Sequence, residues 1–496
     1  MLSSARRLPA DFDPLMSTVP ASWSLLDAAH REGLNSSAIE SVVAPAALLL
    51  ALRWANEHDA EQLAIAAFNG EDARTILPLG LRWSSWLESP RSLTSEEVTS
   101  LWSGIRNVLG LPPDPRNTHH QVRLPSGRLL AALVRWVEQL PLDTPAARRE
   151  ASESFTDLVL RAMENARFGR ELVTPQRLGN FMVALADPRP GERIYDPCFG
   201  TGGLLVDSAE ALWVRGRDVS PGEWTRAKRV PMFGVERDAG LHLVAFVRLL
   251  IAGVRPALEL GDALEREAAG RHHDQGFDCV LADLPWGTRV EGGHLYDFSI
   301  KGRSSENLFL QHSVRSLRPG GRAVVAVPPG LLFRGGADYE LRRWLLTEYR
   351  VDLVLRLPTG SLGRTAIAPN LIVVRRAPPM ESVRFVEVVA LPESARASRS
   401  LAQALFENKD AAPNLIRDVA VAELLKADAR LVVTTAVETD ADDQLKALGQ
   451  SVELTPLGEV AELIEDPLGR VVLRAADEAV AVINEFYSQY VLKPNF

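Results

Sequence analysis

Asp196-Pro197-Cys198-Phe199-Gly200-Thr201-Gly202-Gly203-Leu204-Leu205 is the stretch whose reading decides the fold. It follows a short apolar run at 193–195 and opens a second one, 204–213, of helical character. Glycines at 200, 202 and 203 let backbone approach a ligand closely, and the amides that open the following helix have no partner within it. A strand, a glycine-bearing turn and a helix form the repeating unit of a nucleotide-type α/β sheet. On their own the glycines also fit a tight strand-to-helix turn with no ligand. The loop lacks Gly-Lys-Ser/Thr, so it is not a P-loop, and its spacing departs from Gly-x-Gly-x-x-Gly.

The alternation continues outward from this loop. Strands are predicted at 193–195, 232–236, 257–260, 279–282, 323–327, 351–355 and 371–374. Helices are predicted between them at 204–213, 241–252, 308–317 and 341–348. Short apolar strands alternating with helices predict a doubly wound, largely parallel, Rossmann-like α/β sheet. Such sheets bind ligands at the carboxyl ends of their strands. Upstream, residues 1–150 read as mostly helical, with a buried helix over 46–55 and an amphipathic one over 128–140. A further helix at 154–165 leads into Leu172-Val173-Thr174-Pro175. The pattern weakens after 380, and 438–443 is an acidic, linker-like stretch.

Acids stand at successive predicted strand ends. The first is Asp196 in the glycine loop, the second Glu236 in Gly234-Val235-Glu236, the third Asp262 in Gly261-Asp262. Singly, each also fits a helix N-cap. In series they describe a nucleoside pocket, with Glu236 for ribose hydroxyls and Asp262 for an adenine amine. Helix amides at Gly200, Thr201, Gly202 and Gly203 suit a carboxylate, and Asp196 suits an ammonium. S-Adenosylmethionine (SAM) carries all of these groups.

The fourth strand ends in Asp283-Leu284-Pro285-Trp286. An amine on an aromatic base delocalises its lone pair into the ring and is a poor nucleophile. Two acceptors for its hydrogens would localise that pair. Asp283 offers a carboxylate and Leu284 a carbonyl, whose residue Pro285 restricts to extended backbone. Trp286 offers a flat face for a base. The same four residues also fit a strand-end turn with a buried Trp. The glycine-containing loop at 288–307 fits either a mobile lid over the base or a disordered surface loop.

Composition bounds the rest. The chain has 496 residues, 46% hydrophobic and 24% charged, as expected of two or three globular domains. No apolar run is long enough to cross a bilayer, and residues 1–15 lack the apolar core of a signal peptide. Two cysteines, Cys198 and Cys279, exclude a disulfide framework and a cysteine-rich zinc site, and point to the cytoplasm. His119-His120 and His272-His273 have no partner at metal spacing; no metal is expected, and both pairs read as solvated loop histidines. A formal net charge of −9 favours a DNA-binding partner subunit over autonomous binding.

These residues resemble the N6-adenine DNA methyltransferases, and in particular the modification subunit of type I restriction-modification systems. The resemblance covers roughly residues 150–380. It rests on Leu172-Val173-Thr174-Pro175, the Asp196–Gly203 loop, Glu236, Leu317-Arg318-Pro319-Gly320-Gly321-Arg322 and the strand from Asn370. It implies a helical N-terminal domain at 1–150 and a SAM-dependent catalytic domain at 151–380. A linker or accessory region is expected at 381–450, and a tail at 451–496 that resembles the start of a target-recognition domain but is too short for a complete one. It implies SAM as methyl donor, with Leu172, Val173, Thr174 and Pro175 lining its pocket. It implies double-stranded DNA as substrate, a specificity subunit as partner, with room for a restriction subunit, and no membrane. The family's tetrapeptide is usually Asn-Pro-Pro-aromatic. Asp283 and Leu284 depart from it, and Asp-Leu-Pro-aromatic also resembles RNA guanine-N2 methyltransferases. The expected activity is methylation of adenine N6 in DNA. RNA guanine methylation and a non-catalytic SAM-binding scaffold are the alternatives.

Overall fold

The structure is a computed structural model that describes residues 25–26, 29, 39–69, 77, 82–88, 90–109, 111, 124–125, 127–164, 174–216, 230–290, 296–362, 367–407, 415–433, 461–465 and 471–475. Residues 1–434 form one compact unit and 435–496 a second.

The first unit opens with helices. A π-turn, Ile39–Val43, enters α1, Ala44–Asn69. Then follow α2 (Trp83–Glu88), α3 (Ser95–Val108), α4 (Gly127–Gln139) and α5 (Pro145–Glu164). The run Ala46-Ala47-Leu48-Leu49-Leu50-Ala51-Leu52 is fully buried, which its continuous apolarity requires. Helix α3 starts at a reciprocal cap. Thr94 Oγ1 accepts from the Glu97 amide at 3.2 Å, and Glu97 Oε2 accepts from the Thr94 amide at 2.9 Å.

The sheet has nine strands: β1 Ile194–Asp196, β2 Met232–Glu236, β3 Pro256–Leu260, β4 Phe277–Asp283, β5 Leu317–Val327, β6 Arg350–Arg356, β7 Asn370–Arg375, β8 Ser382–Glu387 and β9 Leu415–Ala420. Their order is β3-β2-β1-β4-β5-β7-β6-β8-β9. The half from β3 to β5 is parallel; β7 runs antiparallel between β5 and β6, and β9 antiparallel to β8. Helices α6 (Gln176–Ala186), α7 (Gly203–Arg215), α8 (Ala239–Ile251), α9 (Arg266–Gln275), α10 (Ser305–Arg315), α11 (Ala337–Glu348), α12 (Ala395–Glu407) and α13 (Val421–Lys426) accompany it. The helical region packs on this unit through α8, where Trp102 meets Phe246 edge-on at 5.6 Å between ring centroids. Residues beyond 380 thus extend the sheet by two strands, β8 and β9.

Two sequence expectations are corrected. His272 and His273 do not sit in a solvated loop. They lie on α9, where Ala268, Ala269 and His272 form the buried face. The reason is Tyr195, fully buried on the central strand. Its hydroxyl needs a partner and finds His272 Nδ1 at 3.2 Å and His312 Nε2 at 2.8 Å. His119 and His120 lie outside the described residues. The helix expected at 308–317 begins earlier, at Ser305, because the Ser304 hydroxyl caps it by accepting from the Asn307 amide at 3.3 Å.

The described residues of the second unit pair as an antiparallel ladder, Ala461–Glu465 with Val471–Ala475. Residues 438–443 and 454–460 lie outside the described residues. Among the described residues no helix is long and apolar enough to cross a membrane.

Candidate active site

The strand order turns at β1 and β4: β2 and β3 lie on one side of β1, and β4 and β5 on the other. Loops leaving two such neighbours diverge and open a crevice at their carboxyl ends. A cavity of about 160 Å³ lies there. Its polar lining includes Thr174, Asp196, Gly200, Glu236, Arg237, Asp262, Asp283 and Ser305, and Phe199, Val235, Leu264 and Phe309 give it apolar walls.

The electrostatics are set by carboxyls. Asp196 is buried at the tip of β1, and its Oδ1 accepts from the Cys198 amide at 3.0 Å. Burial pushes its pKa well above the usual carboxylate range, and the nearby Asp283 and Glu236 push it the same way. Glu236 closes the tip of β2 onto the glycine loop. Its Oε2 accepts from the Gly200 amide at 3.0 Å, and its Oε1 from the amides of Arg237 and Asp238 at 2.7 and 2.9 Å. Burial raises this group too, against the pull of those amides. Asp262 Oδ1 accepts from the Leu264 amide at 2.9 Å, which turns the chain over the apolar wall. A cation beside Asp196 and Glu236 would oppose the effect of burial on both, so these two groups suit a positively charged ligand.

The glycine loop is held from behind. Gly202 has φ +76°, and a β-carbon there would meet the Ala245 β-carbon at 2.8 Å. The side chain of Arg248 donates to the Thr201 carbonyl at 2.6 Å and to Thr156 Oγ1 of α5 at 3.1 Å. Burial lowers this guanidinium to about 10, which leaves it charged at neutral pH. Thr201, Gly202 and Gly203 accordingly shape the loop but do not line the cavity, whereas Gly200 does.

The tetrapeptide begins on the same cavity. Asp283, Leu284 and Pro285 line it, and the Leu284 side chain is fully buried. Thr174 Oγ1 donates to Asp283 Oδ2 at 3.1 Å, across 109 positions of sequence. Trp286 is half-buried, packs against the core and lies outside the lining. Pro175 precedes the first turn of α6, also outside it, and Leu172 and Val173 lie outside the described residues. Of the loop at 288–307, residues 291–295 lie outside the described residues. Its flanks are tied: Arg289 pairs with Ser304, the Tyr296 amide donates to the Leu264 carbonyl at 2.9 Å, and Gln311 holds both backbone groups of Ile300. The structure adds Leu264, Ser305 and Phe309 to the lining. Their signal in the sequence is faint: Ser304-x-x-Asn307 is a helix-start pattern, and nothing in it indicates a cavity.

Residues 158–442, more than half of the chain, match the N-6 DNA Methylase family. Two relatives are methylase subunits of type I restriction enzymes. The EcoEI subunit of Escherichia coli is 25% identical over 334 residues, covering 64% of this chain and 67% of that one. The StySPI subunit of Salmonella potsdam is 23% identical over 367 residues, covering 71% and 65%. This chain therefore spans about two thirds of the length of those relatives. The methyltransferase subunit of a type I restriction-modification system from Streptococcus thermophilus shares the fold, with a TM-score of 0.62 at 18% identity, over 84% of this chain and 98% of that one. A chain from a structure of the type I restriction-modification system's assembly has a TM-score of 0.64 at 24% identity, over 88% and 98%. The doubly wound sheet, the acids at its central strand ends and the match over 158–442 lead to one assignment: the chain belongs to the N-6 DNA methylase family.

Proposed function

We propose that this chain transfers a methyl group from SAM to N6 of adenine in double-stranded DNA, as the modification subunit of a restriction-modification system. The observation that carries this reading is the shared cavity. Asp283 and Leu284 line the same space as Asp196, Glu236 and Asp262, so an amine gripped at the first pair lies beside a ligand held by the second set. Bound there, the cofactor supplies an activated methyl group.

The residues fit that cofactor. Asp196 suits its ammonium, Glu236 its ribose hydroxyls and Asp262 its adenine amine, between the apolar walls of Phe199 and Leu264. Asp283 and the Leu284 carbonyl accept the two hydrogens of the target amine, and the Asp283 carboxylate takes up the proton the amine gives up. Thr174 orients that carboxylate. Trp286, outside the cofactor cavity, faces the flipped base. Positioning supplies most of the acceleration. A specificity subunit selects the DNA sequence, as the net charge of −9 also suggests. The setting is the cytoplasm.

Modified-base sequencing tests the proposal in hosts with the gene intact, deleted, or carrying Asp283→Ala. N6-methyladenine should vanish from one sequence motif in both altered strains. An unchanged DNA pattern in all three would refute DNA methylation and turn the search to transcripts.

A further inference from the structure

The C-terminal end of the tetrapeptide is gripped by the first two residues of α10. Ser305 Oγ donates to the Pro285 carbonyl at 2.8 Å, and Glu306 Oε1 accepts from the Gly287 amide at 2.9 Å. The Ser305 amide adds a third bond, to the Thr288 carbonyl at 2.8 Å. Ser305 Oγ lies 3.2 Å from Glu306 Oε2, so the two side chains form one unit. Gly287 has φ +71°, a conformation open to glycine without strain.

Glu306 is an unusual residue to bury. It is 4% exposed, and taking a carboxylate out of water is costly unless hydrogen bonds and charge offset it. Here the offset comes from the Gly287 amide and its own place in the first turn of a helix. The base of this grip is itself fixed. Asn307 Nδ2 donates to the Ala337 carbonyl at 3.1 Å and to Asp338 Oδ1 at 2.9 Å, and Gln311 Nε2 donates to Asn307 Oδ1 at 2.8 Å. Glu306 does not line the cofactor cavity. Glu306 is thus a buried residue bonded to the position that follows the tetrapeptide and absent from the cavity lining.

We infer that Glu306, with Ser305, is a positioning residue that holds the Asp283–Trp286 backbone so that the Leu284 carbonyl and Asp283 face the target amine together. This inference rests on the proposed methyl transfer for its kinetic consequence and on geometry alone for its structural one. What matters is the acceptor at Oε1, which glutamine retains and alanine lacks.

The test uses the full chain, purified from its host together with the specificity subunit that accompanies it, as parent, Glu306→Ala and Glu306→Gln. SAM binding is read by calorimetry, single-turnover methylation on DNA carrying the sequenced motif, and amide exchange by mass spectrometry across Gly287. In Glu306→Ala the single-turnover rate should fall by about 10- to 100-fold, the size expected for a misplaced reacting group. Its SAM affinity should stay within about twofold of the parent, as Glu306 is outside the cavity lining. Exchange at Gly287 should rise. Glu306→Gln should restore both rate and protection. A parent-like rate in Glu306→Ala overturns the inference, as does a Glu306→Gln variant as impaired as Glu306→Ala. Joint loss of SAM binding and thermal stability in Glu306→Ala also overturns it, in favour of a general folding role. If the parent itself methylates no DNA, the proposed reaction fails. The exchange measurement then decides the grip by itself, and unchanged protection at Gly287 in Glu306→Ala refutes it.

Discussion

Replacing Gly202 by alanine probes how the glycine loop is held. The native residue sits at φ +76°, which costs an L side chain about 1–2 kcal/mol. The new methyl would also stand 2.8 Å from the Ala245 β-carbon and 3.2 Å from its α-carbon, on a buried helix that cannot easily retreat. Overpacking of that kind costs about 1–3 kcal/mol. Together the two effects predict about 2–5 kcal/mol of destabilisation in Gly202→Ala. Ala245→Gly removes the methyl it collides with but leaves the backbone strain and the α-carbon contact. Alone, it should cost about 1–2 kcal/mol, from helix propensity and one lost buried methyl. The double variant should therefore be more stable than the sum of the singles by about 1–2 kcal/mol, a coupling read from urea denaturation of all four proteins. Calorimetry should show weakened SAM binding in Gly202→Ala, since the loop's Gly200 lines the cavity. A Gly202→Ala protein within about 0.5 kcal/mol of the parent, or strictly additive variants, would refute the close approach of loop and helix.

Other expectations follow from the site. Asp283→Ala should abolish methyl transfer yet retain SAM binding, checked by single-turnover kinetics beside calorimetry; full activity would sink the mechanism. Glu236→Ala removes a carboxylate that bonds three amides, and SAM affinity should fall by on the order of 1.5–3 kcal/mol; unchanged affinity would count against the pocket. Burial raises the Asp207 carboxyl from 3.8 to about 7; Glu210 adds to this, while the Gln176 hydrogen bond and Arg248 oppose it. The folded chain then keeps a proton that the unfolded chain has lost, so this group makes stability fall as pH rises between those two values and has no further effect above them. Asp207→Asn should flatten that trend, and its stability gain over the parent should grow across the window. A difference that does not vary with pH would argue against a buried, protonated Asp207.

Much of this fold was legible because its elements carry local signals. The strand expected at 232–236 is Met232–Glu236, whose first four residues are apolar or glycine and mostly buried. The helix at 204–213 is the core of Gly203–Arg215. Helix α9 was not legible, since Arg266–Gln275 offers only alanines and a histidine to its buried face, too little contrast for a periodic pattern. The antiparallel course of β7 was hidden for a different reason. A strand's apolar pattern does not record its direction, which depends on where the connection at 357–369 returns it.

The site divides the same way. By itself the sequence determined the glycine loop, the acids at three strand ends and the tetrapeptide, because each is a contiguous motif whose backbone and side-chain chemistry are local. Only the tertiary structure decided which of these residues share a cavity. It brought Thr174 onto Asp283, Arg248 onto the Thr201 carbonyl, and Ser305 and Glu306 onto the C-terminal end of the tetrapeptide. It also raised the proton affinity of Asp196, through burial and two carboxyls distant in sequence. Hydrogen bonds and fields act through space, and the distances that govern them exist only once the strands are placed side by side.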